Sequence, residues 1–240
     1  MDFAAMQSTL YDHIMEARRR EAADLLGEAI AGAGYEATLL SLLEPTLAML
    51  GERWSSNALS LAQGFVAGKV AEDFLAMGAP VPGSPDARET VSREPLAGPA
   101  RIAVIANAED DYHAMGRSLV STFLRLRGWQ VEDMGCDVLA GDLVDRAVSV
   151  RACVVGISAM MLTTARNVLK VRAEIDARGL AGKLFLAVGG AVFRMRPELV
   201  TELGGDGTAE TALDAPALFE SFRLRSAGTG AASQAESAAP

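Results

Sequence analysis

At 240 residues the chain has room for one large domain or two small ones, and 50% hydrophobic with 22% charged residues is the composition of a folded protein rather than a disordered one. A formal net charge of -9 argues against general nucleic-acid binding, which needs clustered Lys and Arg to neutralise phosphates. Only 5% of the residues are aromatic, which suits helices and buried parallel strands better than an all-β sandwich. The two His and two Cys are too few for a zinc site built by the protein alone. With no CxxC spacing, Cys136 and Cys153 read as separate reduced thiols.

The N-terminal MDFAAMQSTL lacks a basic segment followed by an apolar one. The longest weakly polar run, from Ala152 to Leu162, is shorter than the roughly 20 residues a membrane helix needs. A cytoplasmic protein without membrane contact is expected. Residues 1–78 read as helical. A first helix is placed near 4–18, and Leu25, Leu26, Ala29 and Ile30 define a second, stopped by Gly32 and Gly34. Leu39, Leu40, Leu42, Leu43, Leu47 and Leu50 define a third. Leu61, Phe65, Val66, Val70 and Phe74 define a fourth, capped by Ser60. Five of the nine prolines fall in the next stretch, so a linker is expected over 79–99.

Beyond it, near-continuous apolar runs at 101–107, 152–158 and 184–188 read as strands covered on both faces. Weaker strands are expected at 130–133 and 206–208. Helical spacing separates them: Met115, Leu119, Val120, Phe123 and Leu124; Leu143, Val144, Ala147 and Val148; Val168, Leu169, Val171 and Ile175. A last helix is expected at 213–222. Five βα units over 100–225 predict an α/β, doubly wound, parallel five-stranded sheet with its ligand site at the carboxyl ends of the strands. The small, nearly uncharged segment 226–240 reads as a disordered tail.

The loop after the first strand, Asn107 to Gly116, has none of the glycine spacing that wraps a pyrophosphate. It offers Asp111-x-His113-x-x-Gly116, an imidazole at a strand end with a carboxylate two residues away to orient it. This resembles the DxHxxG signature of cobalamin-binding domains. The likeness continues in chain order with Val155-Gly-Ile-Ser-Ala-Met160, Val188-Gly-Gly190 and Gly204-Gly-Asp-Gly207. It covers about 100–222. Met160 stands in place of the family's usual Leu, and Leu162 where a Thr is common.

The resemblance implies a flavodoxin-like cobalamin-binding domain preceded by a four-helix-bundle cap. It implies that His113 is the lower axial ligand to cobalt, displacing the cofactor's own base, and that Asp111 and Thr164 complete a hydrogen-bond relay behind the ring. It further implies that Ser158, Met160, Gly189 and Gly190 line a slot for the freed nucleotide tail, and that Trp54 covers the upper corrin face. Leu61-Ala-Gln63 is similar to the LPQ of corrinoid subunits of methyltransferase systems. Gly64 and Phe65 occupy the positions where B12 photoreceptors carry a Glu-His pair.

The implied function is a cobalamin carrier, with methylcobalamin expected and adenosylcobalamin the other form. Separate methyltransferase proteins would load and remove the methyl group and perform most of the catalysis, so the chain is a corrinoid component rather than a free-standing enzyme. The other reading is a cobalamin-dependent light sensor or transcriptional regulator acting through a protein partner. Taken without the family, Trp54 is an ordinary core residue, Gly189 and Gly190 a tight turn and Ser158 a strand-end cap. His13 reads as structural, Arg18 to Arg20 as a solvated helix face, and Glu109 and Asp110 as solvated carboxylates.

Overall fold

The computed structural model describes residues 2–56, 58–78 and 100–237. It divides into two compact units, Met1–Pro95 and Leu96–Pro240. The expected linker, 79–99, lies outside the described residues.

In the N-terminal unit, α1 (Phe3–Met15) starts where Asp2 Oδ1 accepts the N–H groups of Ala4 and Ala5, both at 3.1 Å. These are donors that a first helical turn otherwise leaves unsatisfied. The helix stops short of the expected position 18 because Ala17 turns left-handed, at φ 58°. Helix α2 (Arg19–Ala33) ends on Gly34 at φ 88°, a conformation that costs glycine no Cβ clash. The leucine-rich segment expected as one regular helix is three consecutive pieces: α3 (Tyr35–Thr38), a π-helical turn (Leu39–Leu43) and α4 (Glu44–Ser55). Pro45 accounts for this. Its nitrogen has no hydrogen to donate to the preceding turn, and that turn widens, with Glu44 N–H bonded to Leu39 O. Helix α5 (Leu61–Met77) opens with a capping box in which Gln63 N–H donates to Ser60 Oγ at 3.2 Å and Ser60 N–H to Gln63 Oε1 at 2.9 Å. Leu10, Ile14, Leu26, Leu42, Leu43, Leu50 and Phe74 are fully buried, each contributing about 2 kcal/mol of apolar burial.

The C-terminal unit is built on β1 (Ile102–Asn107), β2 (Gln130–Asp133), β3 (Val154–Ser158) and β4 (Phe185–Gly189), all parallel in the order β2-β1-β3-β4. Alternate residues feed two cores. Val104, Ala106, Val155, Ile157, Leu186 and Val188 pack with α7 (Ala140–Ser149) and α9 (Val168–Ala177). Ala103, Ile105, Val154, Phe185 and Ala187 pack with α6 (Ala114–Leu126), Trp129 and α12 (Ala215–Ser237). Short helices α8 (Leu162–Ala165), α10 (Ala191–Met195) and α11 (Leu199–Glu202) complete the unit.

Two expectations are corrected. The sheet has four strands, and the expected fifth is a single bridge, Ala187 to Gly207. Gly204-Gly-Asp-Gly207 has poor strand propensity, and Asp206 turns its carboxylate back onto Leu186 N–H at 2.7 Å. The expected disordered tail is helical through Ser237 as part of α12. Residues 226–237 contain no proline, and the helix runs on through Gly228 and Gly230 despite their low helix propensity. Among the described residues no helix is long and apolar enough to cross a membrane.

Candidate functional site

Neighbouring β1 and β3 send their chains away in opposite directions, one to β2 and the other to β4. Such a switch point opens a crevice at the carboxyl ends of the two strands. The loops after β1 and β3 meet there, and Asp111 joins them. Its side chain is fully buried. Oδ2 accepts Met160 N–H at 2.7 Å and the Thr164 hydroxyl at 2.8 Å, both from the β3 side. Oδ1 accepts His113 N–H at 3.0 Å and Asn107 Nδ2 at 2.9 Å, and lies 3.2 Å from His113 Nδ1. Burial by itself raises a carboxyl's pKa. Here the N–H groups of Met160 and His113, the Asn107 amide and the Thr164 hydroxyl outweigh it and hold Asp111 at about 2. At neutral pH Asp111 therefore only accepts, so His113 must carry its proton on Nδ1 and present its free lone pair on Nε2. The His113 side chain is 51% exposed.

The β1 loop is held at both ends. Asp110 takes a positive φ of 65°, with its N–H bonded to Asp137 Oδ1 at 2.8 Å, and Tyr112 OH donates to Asp137 Oδ2 at 2.6 Å. Glu109 is paired rather than solvated: Lys170 Nζ meets its carboxylate at 2.6 Å, and Asn167 Nδ2 donates to its backbone oxygen at 2.9 Å. The loop is thereby fastened to α9.

Of the residues expected to form the site, Asp111, His113, Met160 and Thr164 form one hydrogen-bonded group. Ser158 closes β3, level with Gly189 at the end of β4. Gly190 is required by its backbone: φ is 109°, and a Cβ there would lie 2.1 Å from Ala159 O. Gly116 and Gly189 are open, since a Cβ at either meets nothing within 4 Å. Leu162 packs against the core, so it brings no hydroxyl to the site. Trp54 belongs to the N-terminal unit, where its half-buried ring lies against Gly64 so closely that a Cβ would come within 2.8 Å of it.

Two members of the group were absent from the sequence reading. Asn107 is fully buried at the end of β1, and Arg117 on α6 donates from Nη1 to Asn107 Oδ1 at 2.6 Å. The available signal was a single amide closing an otherwise apolar strand, Ile-Ala-Val-Ile-Ala-Asn.

Among the described residues no cluster of three or more His, Cys, Asp or Glu could hold a bare ion. A lone imidazole suits a metal that arrives with its own equatorial ligands. The surroundings also fit a large apolar disc: Tyr112, Met160 and Met161 are exposed on the same loops and Met115 in the first turn of α6, and the Gly116 and Gly189 positions leave space.

Comparison with known proteins agrees. The B12 binding domain family matches residues 101–217, and a second B12 binding domain family matches 6–77. The chain belongs to the B12-binding-domain proteins. Cobalamin is thus its cofactor, and its relatives include dimethylamine and trimethylamine corrinoid proteins. Dimethylamine corrinoid protein 2 of Methanosarcina mazei is 36% identical over 126 residues, 52% of this chain and 58% of that protein. The chain spans a little over half the length of the curated relatives it matches. In fold it is similar to a cobalamin-binding protein from Desulfitobacterium hafniense, with a TM-score of 0.65 at 19% identity, covering 89% of this chain and 97% of the other. It is also similar to the methanol:cobalamin methyltransferase complex MtaBC from Methanosarcina barkeri, with a TM-score of 0.62 at 19% identity over 92% and 80%.

Proposed function

We propose that this B12-binding protein carries a methyl group on cobalamin between methyltransferase proteins, with His113 as the lower axial ligand. One observation carries the reading. An acceptor-only carboxylate fixes the proton of a half-exposed imidazole on Nδ1, so the remaining lone pair, on Nε2, is free to ligate. Bound cobalamin supplies the chemistry of taking up and releasing the methyl group. The chain's own residues orient and exclude. Asp111 and Thr164 keep the imidazole in one tautomer, which supports ligation without a proton having to leave the ring. Ser158, Gly189 and Gly190 line the space for the nucleotide tail, with Met160 beside it. That the Gly189 position stays open, with no internal contact to explain it, supports this assignment. We assign the helical unit the role of cover over the opposite corrin face, with Trp54 as its aromatic contact. The likeness to dimethylamine corrinoid proteins supports methyltransferases as the partners and methylcobalamin as the working form.

The test is to load the full chain with hydroxocobalamin, reduce it to the Co(II) state and record its paramagnetic resonance spectrum. Splitting by an axial nitrogen is expected, and it should be absent in His113→Ala. No uptake by the wild type, or an unaltered spectrum in His113→Ala, sinks the ligand assignment. Methyl loading by a methylamine methyltransferase added to the cobalamin-loaded chain is the expected activity. A light-driven change of oligomeric state without methyl loading would mark a sensor instead.

A further inference from the structure

Asn107 has two ends that look alike in shape and opposite in hydrogen bonding, and it sits where only one orientation works. With the amide nitrogen toward the site, Nδ2 donates to Asp111 Oδ1 at 2.9 Å and to the His113 carbonyl at 3.1 Å. With the amide reversed, its oxygen would face a carboxylate and a carbonyl, and two acceptors would repel. The outer end of Asn107 meets Arg117 Nη1 at 2.6 Å. A guanidinium only donates, so it can face only the amide oxygen. Arg117 is itself held: its side chain is 10% exposed, Nε forms an ion pair with Asp133 Oδ1 at the end of β2, 2.7 Å away but not aligned as a hydrogen bond, and Nη1 also donates to Cys136 Sγ at 3.2 Å. The chain Asp133, Arg117, Asn107, Asp111, His113 thus runs from β2 through α6 and β1 to the exposed imidazole.

We infer that Arg117, acting through Asn107, is a positioning residue that fixes the orientation of the Asp111–His113 pair. Among the described residues, Arg117 has as polar partners Asn107, Cys136 and Asp133, and not the imidazole. It sets the direction of one amide, and that amide holds both the acceptor of the Nδ1 proton and the main chain of His113. The meaning of this for cobalamin rests on the His113 reading above; the positioning itself does not.

The test therefore begins on the cofactor-free chain. With only two His in the sequence, 15N-histidine labelling gives two imidazoles, and His13→Gln assigns them. At a fixed pH above the imidazole range, wild-type His113 should show the Nδ1–H tautomer. Arg117→Met should shift the Nδ1–H to Nε2–H ratio about tenfold toward Nε2–H, the size of one hydrogen bond to a charged group. Arg117→Lys, which keeps a donor, should restore most of the ratio. Asn107→Ala should lower it at least as far, and adding Arg117→Met to Asn107→Ala should do nothing more, because the two act in series. In the cobalamin-loaded protein, the axial-nitrogen splitting should weaken in the same order. A wild-type tautomer in Arg117→Met, or additive losses in the double variant, overturns the inference. Should Arg117→Met not fold, Arg117→Lys and Asn107→Ala decide it by the same readout. A tautomer shift without cobalamin uptake by the wild type would refute the cobalamin reading and leave the positioning chain standing.

Discussion

Replacing Asp111 with Asn keeps the shape of the side chain and removes its charge. An Asn side chain must turn its NH2 either toward Met160 N–H and Thr164 or toward Asn107 Nδ2 and His113 N–H. The Thr164 hydroxyl can rotate to accept, but a backbone N–H cannot, so at least one buried donor is stranded. The cost is about 1–3 kcal/mol at neutral pH. The pH dependence is the sharper test. The folded pKa of Asp111, about 2, lies below the ordinary 3.8. Its contribution is therefore fully present above the ordinary value and is lost as pH falls through the folded one. The loss reaches about 2 kcal/mol by roughly pH 2, and Asn has no such term. Glu220, held at about 2 by Arg223 against its burial and with help from Arg101, titrates in both proteins and cancels. The measurement is urea unfolding of the cofactor-free chain in a Trp54→Phe background. The remaining tryptophan, Trp129, then reports only on the C-terminal core, where it packs edge-on to Phe219 at 5.7 Å. The stability gap between wild type and Asp111→Asn should shrink by about 2 kcal/mol between about pH 6 and pH 2. A gap that stays constant over that range would refute the assignment of the low pKa to this network.

Three further outcomes are expected. The adjacent glycines should behave oppositely: Gly190→Ala forces a Cβ to within 2.1 Å of Ala159 O at φ 109° and should cost about 3 kcal/mol or more in thermal unfolding. Gly189→Ala adds a Cβ that meets nothing within 4 Å and should leave the cofactor-free melting temperature nearly unchanged while reducing cobalamin uptake in a titration followed by absorbance. Burial pushes the Cys153 thiol up to about 11, so an aromatic disulfide reagent at about pH 8 should label only Cys136 quickly in the native chain, and mass spectrometry of the labelled peptides identifies which. Gly64→Val should displace the Trp54 ring, whose nearest atom is 2.8 Å from the new Cβ, and red-shift its emission in a Trp129→Phe background.

What was legible in the sequence followed the strength of local constraint. The strands β1, β3 and β4 are buried on both faces and were marked by unbroken apolar runs. The Asp111–His113 spacing was readable because one loop fixes it locally, whereas Thr164, 53 residues away in sequence, was placed only by the family resemblance. The fifth strand failed because an apolar period cannot be seen through three glycines and an aspartate, and pairing there reduces to one bridge. The π-helical turn was invisible in the leucine pattern, because five widened residues hardly disturb a period near 3.6. Asn107 and Arg117 were missed for another reason. Their significance lies in which atoms face each other across β1 and α6, and an arginine on an amphipathic helix looks solvent-facing until the fold shows it buried.

The site exists because of strand order. With β1 and β3 side by side and in register through Asn107 and Ser158, the loops that leave them begin at the same level of the sheet, and Ala108 N–H can bond Ser158 O at 2.9 Å. A single buried carboxylate can then accept from both loops. Two of its contacts, from Met160 N–H and Thr164, tie the crossing; these two with His113 N–H and Asn107 depress its pKa, and a fifth, at His113 Nδ1, orients the imidazole. Folding energy and ligand orientation are therefore inseparable at Asp111. A variant that keeps the fold but moves the imidazole must act one residue further out, at Asn107 or Arg117, where the bonds set direction while the β1–β3 crossing itself remains intact.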